Sequence, residues 1–364
     1  MGRGRRARLE RLRRALVHDA GGLDLVRVVA PAAPLSLRGE DLALGGEEEG
    51  GGGGELRRAL DALRDEIRAR LPLASVAGES GGAGPDWMEL FDELRRRVSS
   101  LGMSERSGEV DEFGMDELVL RQAEPLLDFL MDRWWRVDVQ GAKNVPPAGG
   151  CLLVANGSGL LPYDGLMISH ALGRGQPLDA RPRFLVADWL ITLPFVQPYL
   201  ARVGGVRACR ENAQRLLARG RRVVAFPEGV KGAAKVFRER YRLKRFGRGG
   251  VVRVAIESGT PLVPVAVVGA EEAHPILFKI ETVARIVGLP FIPVTPTFPA
   301  LGPFGLVPLP SKWSVHFGQA IALDYLGSEA ADDELLVSRL TEELRAQIQT
   351  MVEQALHERR SVWG

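Results

Sequence analysis

Residues 154–165, which read VANGSGLLPYDG, place an acidic side chain, Asp164, shortly after a continuous apolar run. A carboxylate at this place is a candidate for a catalytic role in proton transfer. No histidine lies close before it: the segment contains Gly157 and Gly159, and the nearest upstream histidine is His18. Asp164 is equally suited to the start of a helix, where its side chain would accept backbone N–H bonds. The residues alone leave both roles open.

Two more segments carry charge next to predicted elements, one before a helix that starts near Glu211 and one after a strand. The first reads GGVRACR and runs from Gly204 to Arg210, with Arg207 between them. A guanidinium fork matches phosphate oxygens, so Arg210, assisted by Arg207, is a candidate phosphate ligand, although a solvated surface arginine is the alternative. The second segment is Phe226, Pro227, Glu228 and Gly229, followed by Lys231. It suits an acceptor site at the carboxyl end of a strand, or else a Pro–Gly turn with solvated lysines.

Together with the run Val263-Pro264-Val265, these segments occur in the order and at the intervals found in the glycerolipid acyltransferases. Over about residues 136–325 the chain resembles that family. The resemblance implies an α/β fold, a mostly parallel sheet flanked by helices. It places Asp164 in the catalytic block, where the family has a His–Asp pair. It also implies substrate-binding roles for Gly204, Arg207, Arg210, Phe226, Pro227, Glu228, Gly229 and Lys231.

The resemblance further implies a reaction. A fatty acyl group would pass from acyl-CoA or acyl carrier protein to a lysophospholipid or glycerol-phosphate type acceptor, in phospholipid biosynthesis, with no cofactor and no metal. Because Gly157 or Gly159 stands where the family has its histidine, the alternative is a catalytically silent lipid-binding relative. His170, six residues after Asp164, would diverge from it on a helix. A nucleotide-binding α/β protein is disfavoured because no strand leads into a Gly-rich phosphate loop.

The order of elements also favours an α/β domain. Apolar runs predict strands near residues 151–155, 184–187, 223–226 and 262–268, and helical periodicity lies between them, with a long helix at 332–358. We therefore expect an acyltransferase-like domain over residues 111–364. Residues 1–110 are expected to form a poorly ordered, basic, Gly-rich extension with amphipathic helices, because segments such as GGEEEGGGGGE have nothing to bury.

The charge and hydropathy of the sequence indicate which partners and which compartment we expect. The net charge of +2 gives no general attraction to nucleic acid. Two isolated cysteines favour a reducing compartment, and neither a secretory signal nor a membrane span is predicted, so we expect a cytoplasmic protein. The apolar, Pro-rich residues 283–310 are expected either to line the site of an apolar chain or to contact the lipid interface, and the Arg-rich N-terminus favours contact with anionic lipid. The alternatives are a loop folded over the core and a disordered basic tail.

Overall fold

A computed structural model describes residues 110–364, except residues 160, 178–179, 192–196, 282–283, 285–288, 301–304, 306, 360 and 363–364. Several predictions lie outside the described residues. They concern the basic N-terminus, the Gly-rich linkers at 45–55 and 78–85, and the amphipathic helices near 56–71 and 87–98. The boundary near residue 110 between extension and domain therefore stays a prediction.

The described elements alternate between strand and helix along most of the chain, as the apolar runs predicted. The strands are β1 (Asp138–Gln140), β2 (Cys151–Ala155), β3 (Arg183–Val186), β4 (Gly205–Arg207), β5 (Arg222–Ala225), β6 (Leu262–Val268), β7 (Phe278–Ile280), β8 (Ile292–Val294) and β9 (Ser314–Phe317). The α-helices are α1 (Glu117–Phe129), α2 (Tyr163–Gly173), α3 (Asp188–Ile191), α4 (Gln197–Arg202), α5 (Arg210–Ala218), α6 (Val230–Ala233), α7 (Gly250–Ser258), α8 (Ala270–Ala273) and α9 (Glu334–Glu358).

One twisted sheet organises the domain. Its strand order is β1-β9-β6-β2-β5-β3-β4. The five strands from β6 to β4 are parallel, whereas β9 pairs antiparallel with β6 and carries β1 parallel to itself. The predicted mostly parallel sheet flanked by helices is thus confirmed. The carboxyl ends of β2, β5, β3 and β4 consequently meet at one edge.

The central strands are apolar on both faces because helices cover both faces. Every residue of β2 and of β6 is buried. Parallel strands covered on both sides have this continuous apolar character. One core contains Trp134, Trp135 and Trp313, and the other packs the opposite face of the sheet against α5, α7 and α9. The two cores fix the edge of the sheet where the candidate site lies.

The first helix is less regular than its sequence periodicity predicts. The apolar residues Leu126, Leu127, Leu130 and Trp134 predict a single helix over residues 117–135, but α1 ends at Phe129 and a π-helical turn, Leu130–Trp134, follows it. Within this turn the N–H of Trp135 donates to the carbonyl of Leu130 at 2.8 Å. The wider turn places both Trp134 and Trp135 in the core, where their indole N–H groups reach backbone carbonyls.

The Pro-rich segment contains regular structure in its described part. Strand β8 lies within it and pairs antiparallel with β7 in a small separate sheet. Phe291 is buried there beside Ile276 and Ala234, so part of this segment packs on the domain. Within the described residues, none of the helices combines the length and apolar character that a membrane span requires.

Candidate active site

A cavity of about 340 Å³ opens at the carboxyl edge of the sheet. Loops that follow four of the parallel strands surround it, the arrangement in which open α/β sheets usually bind ligands. Its wall is mainly apolar, with contributions from Leu161, Val186, Trp189, Leu190, Ala213 and Val254. Its polar lining includes Ser158, Asp164, Arg210 and Arg253. The cavity can therefore take a largely apolar ligand with a polar end.

Asp164 lies in the first turn of α2 and is only 4% exposed. Its Oδ2 accepts hydrogen bonds from the backbone N–H of Ser158 at 2.9 Å and from Ser158 Oγ at 3.0 Å. Its Oδ1 accepts the N–H of Gly165 at 2.8 Å. Burial raises the pKa of Asp164 to about 6, although these hydrogen bonds oppose the change. The residue before the helix is Pro162, so Asp164 is not the N-cap.

No histidine among the described residues lines this cavity. His170 lies on α2, and its Nε2 is 2.9 Å from Asp128 Oδ1. His274 stacks on Tyr163, with ring centroids 5.8 Å apart. His316 lies in β9 and His357 in the last turn of α9.

Gly157 and Gly159, the two positions at which a family histidine could stand, differ in backbone geometry. A Cβ on Gly157 would meet only ordinary contacts, the nearest being Phe226 Cβ at 3.8 Å. Gly159 has a φ of +80°, a left-handed conformation that an L-residue adopts only with strain. Gly157 is thus the position that can carry a side chain without changing the backbone, and it lines the cavity beside Ser158.

Asn156 holds the loop after β2 in place, and its role was not anticipated from the sequence. Its Nδ2 donates to the carbonyl of Val267 at 2.9 Å, and its Oδ1 accepts the N–H of Val267 at 2.7 Å. This amide extends the pairing of β2 with β6 by one step beyond Ala155. It thereby fixes the position at which the loop of Gly157 and Ser158 leaves the sheet. The only sequence signal was a polar residue directly after an apolar strand.

Glu228 lies beneath the cavity wall and is not among the residues that line it. Its carboxylate is buried and accepts the N–H of Gly157 at 2.9 Å and the N–H of Lys244 at 2.6 Å. Lys235 Nζ lies 3.3 Å from Glu228 and 2.5 Å from Glu271. Burial alone would lower the pKa of Lys235, but the two carboxylates outweigh it and raise that pKa. Glu228 thus fixes the backbone of the loop that contains Gly157.

The two arginines expected to bind phosphate are placed differently. Arg210 begins α5 and lines the cavity; its side chain is 54% exposed and pairs with Glu257. Arg207 instead forms a bidentate pair with Asp188, with distances of 2.8 and 3.0 Å, and is not part of the described lining. Gly204 precedes β4, at the opposite end of that strand from Arg210.

The remaining candidates follow β5. Phe226, Pro227 and Gly229 line the cavity. Gly229 has φ +57° and ψ −142°, which only glycine adopts readily, and it allows α6 to start directly behind Pro227 and Glu228. Lys231 is exposed on α6 and is not among the described lining residues. The structure therefore brings together Asp164, Arg210 and the Phe226–Gly229 corner.

Comparisons with known proteins identify the family of the domain that contains this cavity. A family model described as Acyltransferase matches residues 136–268, the segment that holds every residue of the cavity lining. An uncharacterised protein of Mycobacterium tuberculosis is 43% identical over 258 residues, which cover 70% of this chain and 71% of that protein. The chain belongs to the acyltransferase family.

This acyltransferase-family chain also matches a second mycobacterial protein and a solved structure. An uncharacterised protein of Mycobacterium leprae is 44% identical over 259 residues, 70% of each chain. The crystal structure of the 1-acyl-sn-glycerophosphate (LPA) acyltransferase PlsC from Thermotoga maritima matches with a TM-score of 0.43 and 16% identity. That match covers 85% of this chain and 99% of PlsC. The matched acyltransferase domain begins at β1 and ends with β6.

Proposed function

We propose that this protein transfers a fatty acyl group from acyl-CoA or acyl carrier protein to a lysophospholipid or other glycerol-phosphate type acceptor, in phospholipid biosynthesis. One observation carries the proposal: a mainly apolar cavity that has Asp164 and Arg210 in its lining. The apolar wall suits an acyl chain. The carboxylate and the guanidinium suit a reacting hydroxyl and a phosphate, respectively.

In this proposal Asp164 takes over the proton that the family's histidine would accept. Its pKa of about 6 lies near the pH at which a cytoplasmic enzyme works, which favours proton transfer in both directions. Its shielding by the apolar wall also strengthens its interactions with a bound substrate. We expect turnover to be slow, because Asp164 acts without the histidine that it orients elsewhere in the family, and a well-positioned general base contributes on the order of 10²–10⁴ in rate.

Arg210 binds the acceptor phosphate in this proposal. Its pair with Glu257 is exposed on the arginine side, and exposed ion pairs are worth only about 0–1 kcal/mol. A phosphate dianion that offers two oxygens can therefore displace Glu257 from the guanidinium at little cost. Arg207, which Asp188 already holds in a bidentate pair, plays a supporting part near the opening.

A second candidate function is lipid binding without chemistry. The glycine at position 157 favours it, since nothing replaces the imidazole at that position. The same cavity would then hold a lipid or an acyl chain and release it unchanged. Gly157→His discriminates between the two candidates, because the position accepts a Cβ without a close contact.

The test is an assay of labelled acyl transfer from acyl-CoA and from acyl carrier protein to lysophosphatidic acid. We expect the wild type to turn over slowly and D164N to lose roughly a hundredfold or more. R210M should lower kcat/KM for the phosphate acceptor about tenfold to a hundredfold, because a charge-assisted hydrogen bond contributes about 1.5–3 kcal/mol. R215M, on the same helix but outside the described lining, is the matched control.

The outcome separates the candidates. Wild-type turnover that D164N removes supports the enzyme. No turnover in the wild type, together with turnover in G157H, supports the silent lipid-binding protein. Wild-type turnover that survives in D164N contradicts the role of Asp164.

We also propose that the protein works at the cytoplasmic surface of a membrane. Strand β7 and the residue before it expose Leu277, Phe278 and Ile280, with Phe278 56% exposed. Lys279 lies on the same strand, and Arg240 stacks on Phe237, whose N–H binds the carbonyl of Ile276. Apolar side chains beside cations suit an interface with anionic lipid.

Flotation with vesicles tests this surface. We expect binding to vesicles that contain phosphatidylglycerol, weaker binding to phosphatidylcholine alone, and loss of binding in the F278D/I280D variant. L335D is the control, because Leu335 is another exposed apolar residue, at 85%, on a different element, helix α9. Equal loss in both variants, or unchanged flotation of F278D/I280D, contradicts the proposed contact.

A further inference from the structure

Ser158 occupies an unusual position in the cavity. It is 6% exposed, lines the cavity, and follows β2 by three residues. Its Oγ donates to Asp164 Oδ2 at 3.0 Å, and its own N–H donates to the same oxygen at 2.9 Å. The backbone bond fixes where Ser158 stands relative to the carboxylate. The hydroxyl proton therefore points at a carboxylate that is buried with it.

The surroundings of this pair favour transfer of that proton. Asp164 has no cationic partner among its described contacts, and burial raises its pKa, so its carboxylate gains from protonation. A serine hydroxyl becomes a nucleophile when an adjacent base is within hydrogen-bond reach. A distance of 3.0 Å meets that requirement. The pair thus has the two parts of an activated nucleophile without any imidazole.

We propose that Ser158 carries the acyl group as a covalent intermediate, formed by attack of its Oγ on a fatty acyl thioester. This inference rests on the proposed acyl transfer and names how it proceeds. The Oγ proton moves to Asp164 Oδ2 while Oγ bonds to the thioester carbonyl carbon. The carbon–sulfur bond then breaks, and the leaving thiolate takes the proton from Asp164.

The second half-reaction reverses these roles. The acceptor hydroxyl attacks the ester carbonyl and gives its proton to Asp164. The bond from the carbonyl carbon to Ser158 Oγ breaks, and the serine alkoxide recovers that proton. The donor thioester is consumed, a free thiol and an acylated acceptor are formed, and Ser158 and Asp164 return to their starting state. The apolar residues Leu161, Trp189 and Leu190 offer the tethered chain a wall.

The position of Gly157 supports this route. A Cβ there would face Phe226 and Glu228 at ordinary contact distances, whereas glycine leaves that space next to the cavity open. Its N–H is bound to Glu228 at 2.9 Å from below, so the backbone before Ser158 is held although the side chain is absent. A serine on a fixed backbone loses little entropy when it attacks.

The test incubates the full chain with palmitoyl-CoA in the absence of acceptor, followed by acid quenching and intact-mass measurement. We expect one added palmitoyl group that peptide mapping places on Ser158 and that neutral hydroxylamine does not remove. That resistance distinguishes an ester on Ser158 from a thioester on Cys209, which also lines the cavity. Addition of lysophosphatidic acid should discharge the adduct, and steady-state kinetics should be ping-pong.

Variants make the test decisive. S158A should lose the adduct and lower acyl transfer by about a hundredfold or more. S158C should form a hydroxylamine-sensitive adduct, which reports a folded site even if S158A is unstable. S169A is the matched control and should keep the adduct. Ser169 lies on α2, as Asp164 does, but its Oγ donates to the carbonyl of Pro182 and it is not among the described lining residues.

The outcomes also separate this inference from the proposed function. Acyl transfer that persists in S158A with sequential kinetics and no adduct overturns the intermediate and leaves the proposed function standing. An adduct on Ser158 that no lysophospholipid discharges supports the intermediate and overturns the proposed acceptor. An adduct that maps to Cys209 overturns the role of Ser158.

Discussion

Replacing Asp164 by asparagine should change how the stability of the protein depends on pH. Burial raises the pKa of Asp164 from 3.8 to about 6 in the folded chain, against the lowering effect of its bonds to Ser158 and Gly165. One pKa unit corresponds to about 1.4 kcal/mol, so the difference is worth about 3 kcal/mol. Because the group is buried, solvent does not screen this energy.

The sign follows from which state holds the proton. The folded chain keeps the Asp164 proton to a higher pH than the unfolded chain does. The stabilisation from Asp164 is therefore fully present below about pH 4 and is lost as the pH rises through about 6. The free energy of unfolding of the wild type should fall by about 3 kcal/mol relative to D164N between about pH 4 and pH 7.

Urea denaturation of both proteins across this range measures the effect, and the difference between them cancels all other titrating groups that the two share. D188N is the control: Arg207 lowers the pKa of Asp188, so the stabilisation from Asp188 is lost only as the pH falls below about 4, and the wild-type minus D188N difference should stay nearly constant between about pH 4 and pH 7. A wild-type minus D164N difference that stays constant from about pH 4 to pH 7 would refute the reasoning, since Asp164 would then titrate as an exposed carboxylate.

Chemical denaturation of further variants tests the backbone geometry of the loop after β2 and the buried charges beneath the cavity. Gly157→Ala should change stability by less than about 0.5 kcal/mol, whereas Gly159→Ala should cost about 1–2 kcal/mol because of its left-handed backbone; equal effects would contradict the assigned geometry. Lys235→Met should cost about 3–5 kcal/mol, because Glu228 and Glu271 would stay buried without their cation. Neutral behaviour of Lys235→Met would mean that the two carboxylates share a proton instead.

The sequence predicted the central elements well because burial on both faces leaves a local signature. The apolar runs at 151–155 and 262–268 coincide with β2 and β6. The shorter strands were harder to predict. Strand β4 has three residues and starts with glycine, and β9 alternates buried with half-buried residues. Both gain their stability from distant partners in the sheet, which local periodicity does not report.

The site was predictable in its position and less so in its contacts. Strand ends at one edge place Asp164, Arg210 and Glu228 in the same region, as expected from parallel topology. The burial of Glu228 under the cavity was not foreseen, since it depends on Lys235 seven residues later and on Glu271 forty-three residues later. The pair of Arg210 with Glu257 likewise joins two helices that the sequence separates.

The two buried carboxylates at the cavity, Glu228 and Asp164, differ in the groups that stabilise their negative charge. Glu228 has Lys235 and two backbone N–H donors, so its charge is compensated and its role in holding the loop requires no ligand. Asp164 has hydrogen bonds but no cation among its described contacts, and its ionised form costs stability near neutral pH. An asparagine at position 164 would have a similar shape and would not carry this cost in stability. A carboxylate in a cavity wall with a raised pKa is instead typical of a group that exchanges protons with a ligand, which favours chemistry at the Ser158–Asp164 pair over a purely structural role.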